Sequence, residues 1–176
     1  MWGRRETNMN RNDHKERVWF QVHTENEQDI VHWHEDLKIA FVLFGQVDMT
    51  IRDKTYTLYA GDLLVLNPFE LHVVTTREGH LLALHLSPTF LQSLGHMVPR
   101  FAFYSRQAPS IAVQQLRQWL AHSVSALLAQ DETLAEGYVH MMLSLLSRDF
   151  AQPDTTQDQG GDSTALQYVQ RAVQTF

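Results

Sequence analysis

The stretch VHWHEDLKIAFVLFGQVDMTIRDKTYTLYAGDLLVLNPFELHVV, residues 31–74, decides the fold. It opens on a His-x-His pair, His32 and His34, and closes with Asn67-Pro68 and His72. Side chains two apart on a strand share a face, so the two histidines point one way and Trp33 the other. A later strand carrying His72 brings a third imidazole alongside. An antiparallel barrel builds a pocket, or a metal site, in this way from residues far apart in sequence.

Working outward, β-branched and aromatic enrichment predicts eight short strands, at 18–22, 30–34, 39–44, 46–51, 55–58, 63–66, 72–75 and 81–86. Turn signals separate them: Gly45, Arg52-Asp53-Lys54, Ala60-Gly61-Asp62, Asn67-Pro68 and Glu78-Gly79. Short strands at regular spacing with no helix between them argue for a sandwich or barrel. The runs IAFVLF and LLVL are apolar on both faces and need cover on one side and a filled or ligand-holding interior on the other.

At Ser87-Pro88 the period changes. Ser87 suits a cap, Pro88 the first helical position and Gly95 the stop, giving a short helix through Phe90, Leu91 and Leu94. A long helix follows from about Pro109, with Val113, Leu116, Leu120, Val124, Leu127 and Leu128 at three- and four-residue steps. A second runs from Thr133-x-x-Glu136, a capping-box pattern, to about Phe150 and carries Leu134, Tyr138, Met141, Met142, Leu145 and Leu146. These stripes are wider than one sheet needs, so a homodimer is expected. Its seam is placed on the helix over 109–130, at Leu116, Trp119, Leu120 and Leu127. Residues 152–162 contain no large apolar side chain and read as a linker. Thr164-x-x-Gln167 then opens one more amphipathic helix, with Leu166, Val169, Val173 and Phe176 on one face. It reads as the first element of a further domain, and the chain as truncated.

Composition excludes several classes. Apolar content of 44% with 19% charged residues is ordinary for a globular protein. The polar segment 1–17 is expected to be flexible and has no signal-peptide core, no run is long enough to span a bilayer, and the absence of cysteine suits a reducing cytoplasm. A net charge of -6 argues against this segment gripping nucleic acid by itself. No Ser/His/Asp set, cysteine nucleophile or phosphate-cradling glycine loop is present, so catalysis is not expected.

His32, His34, Gly45, Gly61, Pro68 and His72 resemble the cupin pattern. In metal-binding cupins a glutamate follows the His-x-His pair; here its slot falls at Lys38 or Ile39. No cofactor is expected, and a divalent transition metal such as Zn²⁺ or Ni²⁺ on His32, His34 and His72 is the alternative left open. The run from HWHEDLKIAF to NPFELH, then LHLSPTFLQSL and two helices, is similar to the sensor half of AraC/XylS-type transcriptional regulators. TALQYVQRAVQTF is similar to the first helix of that family's DNA-binding domain, with Leu166, Tyr168-Val169 and Phe176 matching. The resemblance implies an all-β cupin-like (jelly-roll) barrel over 18–105 that binds a small-molecule effector, sugar or other metabolite. An antiparallel helical pair for dimerisation follows over 106–151, then the linker over 152–162. The truncated start of a helix-turn-helix domain occupies 163–176, with DNA bound through the missing part. His32, His34, Lys38, Phe41 or Ala40, His72 and His85 are the candidate effector contacts, with Lys38 at the rim. A metal-dependent cupin enzyme, a dioxygenase or sugar isomerase, is the alternative.

Overall fold

The structure, a computed structural model, describes residues 16–25, 27–28 and 30–153. The expectations for most of 1–17 and of the 152–162 linker, and for the helix over 163–176, lie outside the described residues.

Six antiparallel strands are described: β1 (Val18–His23), β2 (Glu27–Gln28), β3 (Leu37–Ile51), β4 (Lys54–Tyr59), β5 (Leu63–Leu66) and β6 (His72–Leu86). The order β1-β6-β3-β4, with β2 on β6 and β5 on β3, makes the sheet of the expected cupin-like barrel. Three helices follow: α1 (Pro88–Ser93), α2 (Ser110–Leu128) and α3 (Glu132–Asp149).

The strand count is lower than the sequence suggested, for a physical reason. Gly45 and Glu78-Gly79 were read as turns, but β3 and β6 each run straight through and pair from Leu37↔Leu86 to Ile51↔His72. The two glycines face each other, Gly45↔Gly79, beside bulges at Val42/Phe44 and Gln46/Asp48. Gly45 has φ 67, and a Cβ there would lie 1.8 Å from the carbonyl oxygen of Glu78. Two turn-forming residues placed opposite one another thus bend a continuous ladder and let the sheet fold on itself. The predicted strand over 30–34 is likewise absent. Only His32 pairs there, exchanging two backbone hydrogen bonds of 3.1 and 3.0 Å with His72.

Strand parity then divides the side chains. Leu37 and Ile39 of β3, Leu63 and Val65 of β5, and Leu82, Leu84 and Leu86 of β6 join Phe90, Phe101, Phe103 and the helices in one apolar layer. Ala40, Val42, Val47 and Met49 pack with Leu58, Leu64, Leu66, Val74 and Leu81 in a second cluster inside the barrel.

The ends of the helices follow local chemistry. Ser87 caps α1, its hydroxyl accepting from the Phe90 N–H at 3.2 Å, with Pro88 in the first turn. The cap of α3 is Asp131, which accepts from the Leu134 N–H at 3.0 Å, and not the expected Thr133. Glu136, the expected box partner, pairs instead with Arg17 at 2.5 Å and ties α3 to the start of β1.

The placement of the helices also corrects the expected seam. Leu116 and Leu120 are each 3% exposed and lie in the chain's own core, with Trp119 and Leu127 packed partly against it. The stripe that looked too wide for one contact is used by the sheet and by α3 together. The apolar residues these helices leave outward are Ile111 and Leu128 on α2, and Leu134 and Met141 on α3.

Candidate functional site

At one end of the barrel four imidazoles converge. Ring centroids are 4.4 Å apart for His32 and His72, 4.8 Å for His34 and His72, and 5.8 Å for His34 and His85. The cross-strand bridge places His32 beside His72, the parity of the extended segment adds His34, and β6 delivers His85 from its other end.

Each ring is oriented by a hydrogen bond at Nδ1. The Nδ1 atoms of His32, His34 and His72 donate to the carbonyls of Ile30, Asp36 and Glu70 at 2.8, 2.9 and 2.8 Å. Nδ1 of His85 lies 3.1 Å from the Asp36 carboxylate, and its ring stacks on Trp19 at 3.7 Å. A carbonyl only accepts, so Nδ1 of His32, His34 and His72 carries a proton, and in the neutral rings of His34 and His72 Nε2 presents its lone pair. The Nε2 atoms of His34, His72 and His85 are buried without a hydrogen-bond partner. Buried polar atoms are nearly always satisfied, so three such atoms at one end of a barrel single it out as the candidate site.

Burial also fixes their charge. His34 is pushed down to about 2 and His72 and His85 to about 4, first by desolvation and further by the charge of Lys38. The three rings are therefore neutral at pH 7. Lys38 is not at the expected rim: it is 3% exposed, on β3 directly across from His85. Of the expected pair Phe41 or Ala40, Ala40 shares the inner parity and Phe41 does not. Phe41 packs with the helix-facing layer, away from the histidines. Of the six expected contacts, five are brought together or adjoin, and Phe41 is not.

One ring nitrogen from each of His32, His34 and His72 lies within 4.8 Å of the others, so donor type, tautomer and spacing fit a transition metal. The buried Lys38 opposes it, putting positive charge next to the same rings. Asp36 and Glu70 were missed by the sequence reading, although each stands two residues from a candidate histidine and orients it through its carbonyl. Of the other histidines, His122 stacks on Tyr138 and His140 meets Phe90 edge-on; both are exposed and neither joins the cluster.

The family model for the AraC-like ligand binding domain matches residues 21–166, most of the length. The chain belongs to the AraC-like ligand-binding domain family. It is also 25% identical over 127 residues to an uncharacterised HTH-type transcriptional regulator, YdeC, of Bacillus subtilis (strain 168), covering 66% of this chain and 44% of that protein. The chain thus spans less than half the length of this curated relative. Among solved structures, a cupin-2 domain protein of Shewanella frigidimarina is 21% identical at a TM-score of 0.37, covering 40% of this chain and 71% of the other. A cupin superfamily protein of Desulfitobacterium hafniense is 17% identical at 0.39, covering 43% and 72%. The matched region takes in both the barrel and the helical pair. No helix among the described residues is long and apolar enough to cross a membrane.

Proposed function

We propose that this chain is the effector-sensing part of an AraC-type transcriptional regulator, with the effector seated against His34, His72, His85 and Lys38. The observation that carries the reading is the set of three buried, unpartnered Nε2 atoms on neutral rings. They accept hydrogen bonds, and Lys38 donates, so the site suits a small polar molecule with several hydroxyls. The relative's name, a helix-turn-helix transcriptional regulator, supports a role in controlling DNA binding by a domain beyond the linker. With a net charge of -6, this segment by itself gives no specific footprint on duplex DNA. Homodimerisation through the helical pair is part of the proposal, supported by the outward Ile111, Leu128, Leu134 and Met141.

Thermal-shift screening of a panel of sugars and sugar acids, followed by calorimetry, tests the reading. At least one compound raises the melting temperature of the wild-type chain, and His72→Gln loses that response. A compound that binds His72→Gln and His34→Gln as well as wild type contradicts it.

The convergent ring nitrogens favour a second reading, a metal-dependent cupin enzyme. Lys38 argues for the first, and purified protein is expected to carry substoichiometric or no tightly held transition metal. One metal per chain by elemental analysis, lost in His34→Ala, would favour the enzyme.

A further inference from the structure

The segment from Asn67 to Leu71 is attached to the histidine cluster at one end and to the outgoing chain at the other. On the cluster side, the Glu70 carbonyl accepts from His72 Nδ1 at 2.8 Å, and the Phe69 N–H donates to the His34 carbonyl at 2.9 Å. Two of the four convergent histidines are thus held by consecutive residues of one loop.

On the far side, the same loop grips the connector that leads to the helices. The Glu70 carboxylate accepts from the Asn67 N–H at 2.9 Å and from Arg100 at 2.5 Å. The Asn67 side chain brackets the Phe101 backbone, accepting from its N–H at 2.7 Å and donating to its carbonyl at 3.0 Å. Asn67 is 3% exposed, so this amide bracket is a buried, fully engaged contact. The connector in turn holds the residues that leave the domain. Phe101 pairs with Ala151, the Gln152 N–H donates to the Arg100 carbonyl at 2.8 Å, and the Ala102 N–H donates to the Phe150 carbonyl at 3.0 Å.

Phe69 lies in the middle of this chain of bonds at φ 63, in the left-handed region that a bulky side chain rarely adopts. The residue is 64% exposed, with its ring 5.6 Å from that of Trp33, so little burial offsets the backbone strain. Backbone strain of this kind collects at switch regions, where the surrounding hydrogen bonds hold it in place.

We infer that the loop from Asn67 to Leu71 is a relay: a change at His72 or His34 is passed through Glu70 and Asn67 to Arg100 and Phe101, and from there to Ala151–Gln152. The inference deepens the sensing role proposed above and rests on it for its purpose. It states how filling the histidine end alters the geometry with which the chain leaves the barrel toward whatever follows. At its far end the route reaches the apolar layer shared with the helices, through Phe101 and through Phe150, the residue that ends α3.

The test requires no ligand, so its outcome is independent of whether an effector is found. Amide hydrogen exchange is followed by NMR in the 176-residue chain and in His72→Ala. The expected result is exchange about three- to tenfold faster at Phe101 and Gln152, the equivalent of one lost hydrogen bond, with Gly61 unchanged. Gly61 donates to the Val42 carbonyl at 2.8 Å and serves as the distant control. In a Glu70→Gln background the His72→Ala increment at Phe101 and Gln152 disappears. Unchanged exchange at those two amides, an equal rise at Gly61, or simple additivity of the two substitutions overturns the relay. Arg100→Ala, on a largely exposed side chain, supplies a reciprocal arm if His72→Ala does not fold. It shifts the ring ¹⁵N signals of His72, whereas Arg117→Ala, which removes a donor to the Gly61 carbonyl, leaves them in place. Identical His72 signals in wild type and Arg100→Ala likewise overturn it.

Discussion

The two faces of β3 and β6 share a backbone but not a chemistry. On the outer face Leu37, Ile39, Leu82, Leu84 and Leu86 pack in one apolar cluster with residues of the helices and the connector. On the inner face Lys38 and His85, on the same strands, point toward a cluster of imidazoles. The alternation of one residue thus puts the apolar layer shared with the helices on one face, and the buried Lys38 and His85, beside the second apolar cluster, on the other. Deleting outer-face atoms costs stability without touching the site. Changing the inner face alters charge and hydrogen bonding at the site, while the apolar layer stays intact.

Leu84→Ala gives the largest expected effect. Leu84 is fully buried in the outer layer, so truncation lowers the unfolding free energy by about 2–5 kcal/mol in urea titrations at pH 7. A loss well under 1 kcal/mol would mean that the helical pair is not packed on this face.

The inner face shows itself through pH. His72 and His85 titrate near 4 in the folded chain and near 6.5 unfolded, so between those values the unfolded chain binds more protons. Stability is complete above about pH 6.5 and falls as the pH drops toward 4, by roughly 3 kcal/mol for each such histidine. His85→Gln removes one share of that slope. A stability profile that is flat from pH 7 to 5, or a slope unchanged in His85→Gln, would break the contrast between the faces.

The smallest stability effect belongs to the outward side of the helices. Leu128 is 72% exposed, so Leu128→Glu changes unfolding free energy by no more than about 0.5 kcal/mol. The same substitution is expected to shift a wild-type dimer toward monomer in sedimentation at micromolar concentration. A wild-type chain that sediments as a monomer there would sink the dimer proposal. Leu120→Glu does not serve this purpose, because that residue is inside the core and its charge would unfold the domain.

Much of this was legible before any coordinates. The His-x-His spacing and the NPFELH segment pointed to three of the cluster residues, because strand parity is a local property. The continuity of β3 and β6 was not legible. A glycine opposite a glycine bends a ladder, whereas either alone reads as a turn, and only the register shows which applies. Lys38 was misplaced for a related reason. One residue of phase decides between rim and interior, and the phase is set by pairing with β5 and β6. The outward residues of the helices could not be separated from the inward ones by periodicity alone. α2 turns apolar residues toward both the sheet and α3, so its stripe is broad even with no partner chain.

The central claim is that neutral histidines present open Nε2 lone pairs where their rings converge at one end of the barrel. Ring ¹⁵N NMR of the histidines across pH 8 to 4 tests it most directly. The account predicts Nδ1–H tautomers for His34 and His72, with His34, His72 and His85 still uncharged at pH 5.5. Nε2–H tautomers for His34 and His72, or protonation of these rings near pH 6.5, would contradict it.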